Sequence, residues 1–256
     1  MSNQTENWSD SKIKRRTFFS FAGFILAGMG GVFSWRWFRD LPKSNYGLDE
    51  TTRDVLSFNE RINEKLFSDK SLAKTYPKSR AAKRTRVNGQ VGIKQPINTE
   101  KWQLEVINPD SKQSSFFQMD AIKALPKEEI IFDFKCIEGW DQIVHYGGIK
   151  FSDFLKKYNL GKKSGTDEWY KYVGLETPDA QYYVGLDMQS VLHPQTLLCF
   201  EVNGNPLPKL HGAPLRLIIP TKYGVKNLKR IGKMYFSDTK PRDYWHERGY
   251  DYDVAL

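Results

Sequence analysis

The 256-residue sequence predicts an α+β fold. Short strand patterns rich in β-branched and aromatic residues recur from residue 102 onward, and turn residues separate them. Helical patterns are few and do not alternate regularly with the strands, which argues against a succession of βαβ units. The chain is long enough to bury a sizeable core, and we predict one domain over residues 41–256.

Helices are predicted where apolar residues recur at helical spacing. Residues 48–67 have such an apolar face, and residues 119–124 and 150–158 predict two shorter helices. Ser152 is the candidate N-cap of the last one. Between the first helix and residue 89 the chain is predicted to be extended and to end in a turn.

The predicted strands share an alternating or short apolar pattern bounded by turn residues. They lie at residues 102–107, 114–119, 130–136, 169–175, 182–186, 197–202 and 215–220. The third strand ends at Cys136. We therefore expect the thiol of Cys136 at the end of a strand, where functional sites are commonly built.

Residues 1–40 are predicted to be an export signal or an N-terminal anchor. Basic residues precede an uncharged run at residues 18–33, which has the length of a signal-peptide core. The string K-R-R-T-F-F-S, with Arg15 and Arg16 as its pair, resembles a twin-arginine export signal. That route carries proteins already folded around a cofactor. We therefore expect a periplasmic protein, either released or anchored to the inner membrane by an uncleaved N-terminus.

The formal net charge is +9, and the basic residues are unevenly placed. Residues 70–94 contain eight Lys or Arg and no acid, and residues 202–237 contain seven and no acid. Such stretches favour an anionic ligand, with a solvated basic face as the alternative. The sequence has no zinc-finger spacing, basic-zipper heptads or aromatic nucleic-acid motif, so no nucleic-acid partner is predicted.

The two cysteines have different surroundings. Cys199 lies in the apolar run T-L-L-C-F-E-V, which predicts a small buried thiol in a strand. Cys136 precedes a polar Gly-Trp turn in F-D-F-K-C-I-E-G-W. A thiolate near cations and backbone amides can ligate a metal, so Cys136 is the candidate ligand. A structural cysteine is the alternative.

A second candidate segment combines glycines that allow close approach with cations that bind phosphate. Its members are His211, Gly212, Arg216, Lys222, Lys226, Lys229 and Arg230. Taken by itself, this segment indicates a phosphate-like anion. The chain lacks the P-loop pattern and the strand-associated G-x-G-x-x-G pattern, so ordinary nucleotide binding is poorly supported.

Five motifs together carry a family resemblance. They are F-K-C-I-E-G-W, Y-V-G-L-E-T, L-H-P-Q-T-L-L, N-G-N-P-L-P-K-L-H-G-A-P-L-R and K-Y-G-V-K-N-L-K-R-I, in this order. The chain resembles the sulfite oxidase type of molybdopterin oxidoreductase, and within it the periplasmic methionine sulfoxide reductase catalytic subunits. The resemblance implies that family's α+β fold, with mixed sheets of short strands and peripheral helices.

The resemblance also implies a cofactor and its ligands. A molybdenum would be bound by the dithiolene of one pterin, with Cys136 as the only protein ligand to the metal. The implied cofactor contacts are Asn59, Ile62, Asn63, Thr177, His211, Arg216, Asn227, Leu228 and Lys229. His145 is a candidate proton donor in the pocket, and Lys135 and Tyr146 are candidates to attract or polarise a sulfur oxygen.

Two differences between this chain and the sulfoxide reductases bear on the identity of the substrate. At position 211 this chain has His, as the sulfite oxidases do, where the reductases have Asn. The E-G-W that follows Cys136, in contrast, resembles the reductases. The upstream Phe-Tyr-Glu contact of the reductases is missing, and Arg61, Ile62 and Asn63 stand at that place.

We therefore expect two-electron oxygen-atom transfer on a sulfur compound, with reduction of a small sulfoxide or of protein methionine sulfoxide favoured over sulfite oxidation. Electrons would come from a membrane b-type haem protein or a cytochrome c. A non-enzymatic, exported anion-binding module is the alternative from another class.

Overall fold

The computed structural model describes residues 10–43, 48–110 and 113–256. The chain forms two compact units, Met1–Asp54 and Val55–Leu256. Helix α1, Asp10–Arg39, makes up most of the first unit. The part of α1 from Lys14 to Arg39 has the length and composition of a membrane span, a property that signal sequences near an N-terminus share. Most of the predicted export segment falls in this helix, and residues 1–9 lie outside the described residues.

Helix α2, Glu50–Leu66, confirms the helix predicted at residues 48–67. Glu60 is its buried residue, and the side chain accepts hydrogen bonds from Lys240 Nζ at 2.5 Å and from the backbone N of Tyr252 at 3.1 Å. A buried carboxylate needs such partners, so Glu60 ties this part of α2 to the C-terminal segment.

Short strands dominate the second unit. They are β1 (Leu104–Ile107), β2 (Ser114–Phe117), β3 (Lys127–Lys135), β4 (Asp141–Lys150), β5 (Tyr172–Glu176), β6 (Tyr183–Asp187), β7 (Leu197–Val202), β8 (Asn205–Pro206), β9 (Arg216–Ile218) and β10 (Lys233–Ser237). The short helices are α3 (Met119–Lys123), α4 (Phe151–Lys157) and α5 (Met188–Leu192). The prediction of short strands with few helices is confirmed.

The strands form two five-stranded sheets. The first has the order β2-β1-β10-β5-β6, in which β1 and β10 are parallel and the other pairs are antiparallel. The second has the order β3-β4-β7-β8, and β9 also pairs with β7. All pairs of the second sheet are antiparallel.

The main apolar core joins side chains of both sheets with those of α4 and α5. Strand β7 shows how the second sheet divides two clusters, because Leu198 belongs to the main core while Leu197 and Cys199 belong to a second cluster on the other face. Burying each large apolar side chain contributes about 1.5–3 kcal/mol. Cys199 is fully buried, as predicted.

Three strands and one cap differ from the sequence predictions. Strands β4, β8 and β10 were not predicted, and β4 is the longest strand of the described chain. Helix α4 begins at Phe151 with Lys150 as its N-cap residue, so the N-cap assigned to Ser152 is wrong. Ser152 lies inside the helix and is buried, because strand β4 runs directly into α4 without a polar turn.

Candidate active site

A cavity of about 180 Å³ lies beside the hairpin formed by β3 and β4. We call it the cysteine cavity, because Cys136 lines it. Other lining residues important for its chemistry are Arg86, Asn88, Trp140, Tyr146, Arg216, Asn227 and Lys229. These residues come from distant parts of the sequence, and the two sheets bring them together.

The β3–β4 hairpin positions Cys136. The strands pair up to Lys135 and Asp141, which leaves residues 136–140 as the connecting loop. The backbone N of Cys136 donates to Trp140 O at 2.9 Å, and Gly139 N donates to Cys136 O at 3.0 Å. Gly139 has a φ of 86°, a conformation that glycine adopts without strain. The thiol is therefore held at the end of a regular strand, with 4% of the residue exposed.

Asn88 contacts the sulfur directly. Its side-chain Nδ2 donates to Cys136 Sγ at 3.1 Å. The backbone carbonyls of Asn88 and Gly89 in turn accept hydrogen bonds from Lys229 Nζ, the second at 3.0 Å. Asn88 was not among the predicted site residues. Its Asn-Gly pair indicates only a turn in the sequence, and the contact with the sulfur depends on tertiary structure.

Arg216 and Tyr146 form the buried polar pair of the cavity. Arg216 is 2% exposed, and its Nη1 donates to the Tyr146 hydroxyl at 2.8 Å. The guanidinium also lies 4.7 Å from the centre of the Tyr146 ring. Burial raises the pKa of Tyr146, so the phenol stays protonated.

The other hydrogen-bond donors of the Arg216 guanidinium are only partly paired. Nη1 also donates to His211 O at 3.3 Å, and Nη2 donates to Asn227 O at 3.4 Å. Nε is buried and has no hydrogen-bond partner among the described residues. Because buried guanidinium donors are normally paired, this nitrogen marks a place for an acceptor that the chain itself does not supply.

The cavity favours anionic groups. Arg86, Arg216 and Lys229 line it, and Glu138 is the one acid among the described lining residues. Burial and the charge of Arg216 lower the pKa of Lys229 to about 7, although Cys136 acts in the opposite direction. An anion in the cavity would relieve the repulsion between Arg216 and Lys229.

Three other predicted residues lie near Arg216. His211 ends a one-turn helix, Lys209–His211, and its pKa is lowered to about 4 by burial and by the nearby Arg216 and Lys229. Asn227 lines the cavity, but its side-chain oxygen accepts from Ile219 N at 2.8 Å. Leu228 is fully buried in the main core, so only its backbone is suited to a polar contact.

Thr177 lies just after the end of β5 and does not line the cysteine cavity. Its hydroxyl donates to Asp179 Oδ1 at 2.6 Å and accepts from the backbone N of Tyr182 at 3.2 Å. The side chain closes the turn between β5 and β6. It lies against Gly92, where an added Cβ would come within 2.5 Å of Thr177.

Asn59, Ile62 and Asn63 lie on α2, and none of them lines the cysteine cavity. Asn63 instead lines a different recess of about 760 Å³, beside residues of α5 and the C-terminus. These three residues therefore do not share the cavity of Cys136, and Glu60 ties their stretch of α2 to the C-terminal segment.

The two candidate residues of β4 lie on opposite faces. Tyr146 lines the cavity, whereas His145 does not and has its Nε2 3.6 Å from Glu129 Oε2. Successive side chains of a strand point to opposite faces, so both cannot face the cavity. Lys135 is exposed at the end of β3 and is not among the residues that line it.

Residues 90–245 match the family model described as "oxidoreductase molybdopterin binding domain". The chain belongs to this family. It is therefore an oxidoreductase of the sulfite oxidase type, as the five motifs predicted, and its α+β fold is confirmed. Family membership implies a molybdenum-pterin cofactor.

Two relatives give the extent of the similarity. A putative protein-methionine-sulfoxide reductase subunit of Azospira oryzae is 32% identical over 210 residues, which are 80% of this chain and 77% of the relative. A protein-methionine-sulfoxide reductase catalytic subunit of Xanthomonas axonopodis pv. citri is 31% identical over 215 residues. These cover 78% of this chain but only 59% of that relative.

A solved structure, the sulfane dehydrogenase SoxCD from Paracoccus pantotrophus, aligns with 57% of this chain and 40% of its own, with a TM-score of 0.49 and 19% identity.

The residues of the cysteine cavity fit the cofactor that the family implies. A thiol suits a soft metal, and Arg216 and Lys229 suit phosphate. The unpartnered Nε of Arg216 supplies a donor with no acceptor in the described part of the chain.

Proposed function

We propose that this chain reduces sulfoxides by two-electron oxygen-atom transfer, at a molybdenum bound by one pterin and by Cys136 Sγ. The observation that carries the proposal is the shared cavity of the Cys136 thiol and the buried Arg216, whose Nε lacks a partner within the described residues. The names of the two relatives support sulfoxide as the substrate.

Four side chains of the cavity have roles in binding the cofactor, those of Cys136, Asn88, Arg216 and Lys229. Cys136 would ligate the metal, and the hydrogen bond from Asn88 would orient and stabilise its thiolate. Arg216 and Lys229 would bind the phosphate and polar edge of the pterin, together with the backbone at residues 227–228. When bound, the molybdenum centre supplies the two electrons and the position at which the oxygen atom leaves the sulfur.

Reduction of a sulfoxide to a thioether and water also consumes two protons. Tyr146 is suited to donate one, because burial keeps its phenol protonated and its oxygen accepts from Arg216 Nη1. Its own hydrogen is then free to point at a substrate oxygen. Arg216 holds the ring in place through this bond and through its contact with the ring face.

Aromatic residues of the cavity favour an organic sulfoxide over sulfite. Trp140, Tyr182, Trp245 and Tyr250 line it together with apolar side chains. Aromatic rings make favourable contacts with sulfur and methyl groups, whereas a doubly charged sulfite gains little from them. Sulfite oxidation stays the alternative that His211 suggests.

The electrons would come from a membrane b-type haem protein or a cytochrome c. We place the protein in the periplasm, where α1 would act as an export signal or keep the protein at the inner membrane. The resemblance of residues 14–20 to a twin-arginine signal and the apolar length of α1 support this placement.

The test is to purify the chain from a host that makes the pterin cofactor and to measure molybdenum by plasma mass spectrometry and turnover of methionine sulfoxide with a chemical reductant. We expect about one molybdenum per chain and loss of the activity in Cys136→Ser. Cys199→Ser is the matched control, because Cys199 is buried in β7 and does not line the cavity. Full molybdenum and full activity in Cys136→Ser would contradict the ligand assignment, and matured protein without molybdenum would favour the anion-binding module.

A further inference from the structure

A row of exposed cations runs to the cysteine cavity. Residues 70–94, here called the basic ribbon, contain eight Lys or Arg and no Asp or Glu, and all eight are exposed. Within the described residues, Lys78 with Glu129 is the one ion pair that the ribbon makes. A dense positive charge with so few ion pairs attracts an anionic partner and speeds its association.

The backbone of the basic ribbon is fastened to the β3–β4 hairpin. Tyr76 N donates to Ile131 O at 2.9 Å. Further along, Gln142 holds the ribbon at two points, because its Nε2 donates to Arg84 O at 3.2 Å and its Oε1 accepts from Arg86 N at 2.8 Å. The cationic side chains therefore extend from a fixed backbone, which lowers the entropy lost when a partner binds.

The basic ribbon is continuous with the cavity wall. Thr85, Arg86 and Asn88 line the cavity, and the guanidinium of Arg86 lies 4.5 Å from the centre of the Trp140 ring. The six residue steps from Arg80 to Arg86 can span at most about 20 Å, and bends at residues 81, 83 and 84 shorten that distance. Of the eight cations only Arg86 lines the cavity, so a ligand that contacts the others together with the cavity is longer than a single amino acid.

We propose that the basic ribbon binds an acidic, extended polypeptide segment whose oxidised methionine enters the cysteine cavity. The proposal rests on the proposed sulfoxide reductase function and names its substrate class. A free sulfoxide would contact only the cavity and leave the cations outside it unused. An anionic membrane surface lying on the ribbon would cover the cavity that Arg86 and Trp140 border.

The test compares substrates that differ only in charge. Short synthetic peptides carry a central methionine sulfoxide flanked on both sides by Glu, by Gln or by Lys, and free methionine sulfoxide is the reference substrate. With the holoenzyme at low ionic strength, we expect kcat/KM for the Glu peptide to exceed that for the Lys peptide by about tenfold or more. Added salt should reduce this preference.

A double variant tests whether the ribbon causes the preference. Lys83→Gln/Arg84→Gln removes two exposed charges, and we expect it to weaken the preference by about fivefold while free methionine sulfoxide is reduced at the wild-type rate. Lys156→Gln/Lys157→Gln is the matched control, because both lysines are exposed on α4 and neither lines the cavity. Equal kcat/KM for the three peptides, or a preference unchanged in Lys83→Gln/Arg84→Gln, would overturn the proposal.

A binding measurement separates this proposal from the proposed function. A dye-labelled Glu peptide with unoxidised methionine is titrated with holoenzyme, and fluorescence anisotropy should show binding that weakens in Lys83→Gln/Arg84→Gln and not in the α4 control. If free methionine sulfoxide is not reduced, the proposed function fails, and the anisotropy still decides whether the ribbon binds acidic peptide. Binding to phosphatidylglycerol vesicles that depends on the ribbon, without binding of the Glu peptide, would overturn the proposal in favour of a lipid surface.

Discussion

The side-chain amide of Asn88 donates a 3.1 Å hydrogen bond to the sulfur of Cys136 across 48 residues of sequence. Partners of this kind orient a metal ligand and commonly contribute about 10- to 100-fold to metal affinity. The backbone carbonyl of Asn88 also accepts a hydrogen bond from Lys229 Nζ.

Replacing Asn88 by Asp removes the donor and puts a carboxylate against the sulfur. When cofactor is limiting, we expect the molybdenum content per chain to fall by about tenfold, because the thiolate loses its hydrogen bond and meets a like charge. Plasma mass spectrometry measures the content. Asn98→Asp is the control, since its side-chain oxygen keeps the bond from Glu100 N and it does not line the cavity. An equal molybdenum content in both variants would disprove the role of Asn88.

Arg216→Lys should keep the charge but not the contacts. A lysine cannot reach the Tyr146 hydroxyl, His211 O and Asn227 O together, as the guanidinium does. We expect the free energy of unfolding of the cofactor-free protein to fall by about 2 kcal/mol, and the pterin content of the matured protein to fall with it. Urea denaturation and pterin fluorescence after release measure the two effects. Arg80→Lys, at an exposed position, should change neither.

His211 should make the cofactor-free protein sensitive to acid. Its pKa in the folded protein is lowered to about 4 from an ordinary value of 6.5, chiefly by burial. Between these values the unfolded chain takes up a proton that the folded chain resists, so stability is present above pH 6.5 and is lost as the pH falls toward 4. We expect this to account for about 1–2 kcal/mol.

The measurement is urea denaturation at several pH values for the wild type and His211→Asn. The variant should lose less stability on acidification. Burial also lowers the pKa of His193, so the wild-type curve contains that contribution as well. The difference between the two curves isolates His211, and parallel curves would show that its titration does not matter.

The buried ion pair of Lys226 and Asp243 should be a strong determinant of stability. Lys226 Nζ lies 2.5 Å from Asp243 Oδ2 and also donates to Gly185 O, and both charged residues are almost fully buried. Lys226→Met would leave the carboxylate without its cation, so we expect a loss of about 3–5 kcal/mol in the free energy of unfolding. Urea denaturation measures it, with Lys101→Met as the exposed control. A loss no larger than that of the control would contradict this account.

Sequence reasoning found the parts of the site that depend on local pattern. The motif around Cys136 and the segment around Arg216 each contain enough neighbouring signal to predict a ligand and an anion contact, and the structure brings both to one cavity. Asn88 could not be found in this way. Its local Asn-Gly pair is typical of a turn, and only the fold brings it to the sulfur.

The unpredicted strand β4 explains why the sequence analysis places both His145 and Tyr146 in one pocket. Strand β4 contains Gly147 and Gly148 at a register shift against β7, which interrupts the alternation that predicts a strand. Without the strand, nothing shows that neighbouring residues face opposite sides. Strand β10 was equally hard to predict, because its parallel partner β1 lies more than a hundred residues earlier.

The cysteine cavity has a consequence for the order of assembly. Its contacts join Asn88 to Cys136, Tyr146 to Arg216, and Asn88 to Lys229, over sequence separations of 48, 70 and 141 residues. No nascent fragment can supply these walls, since they meet only when both ends of the domain are in place. Only a chain that has been synthesised through Lys229 can therefore hold a cofactor with all of these contacts.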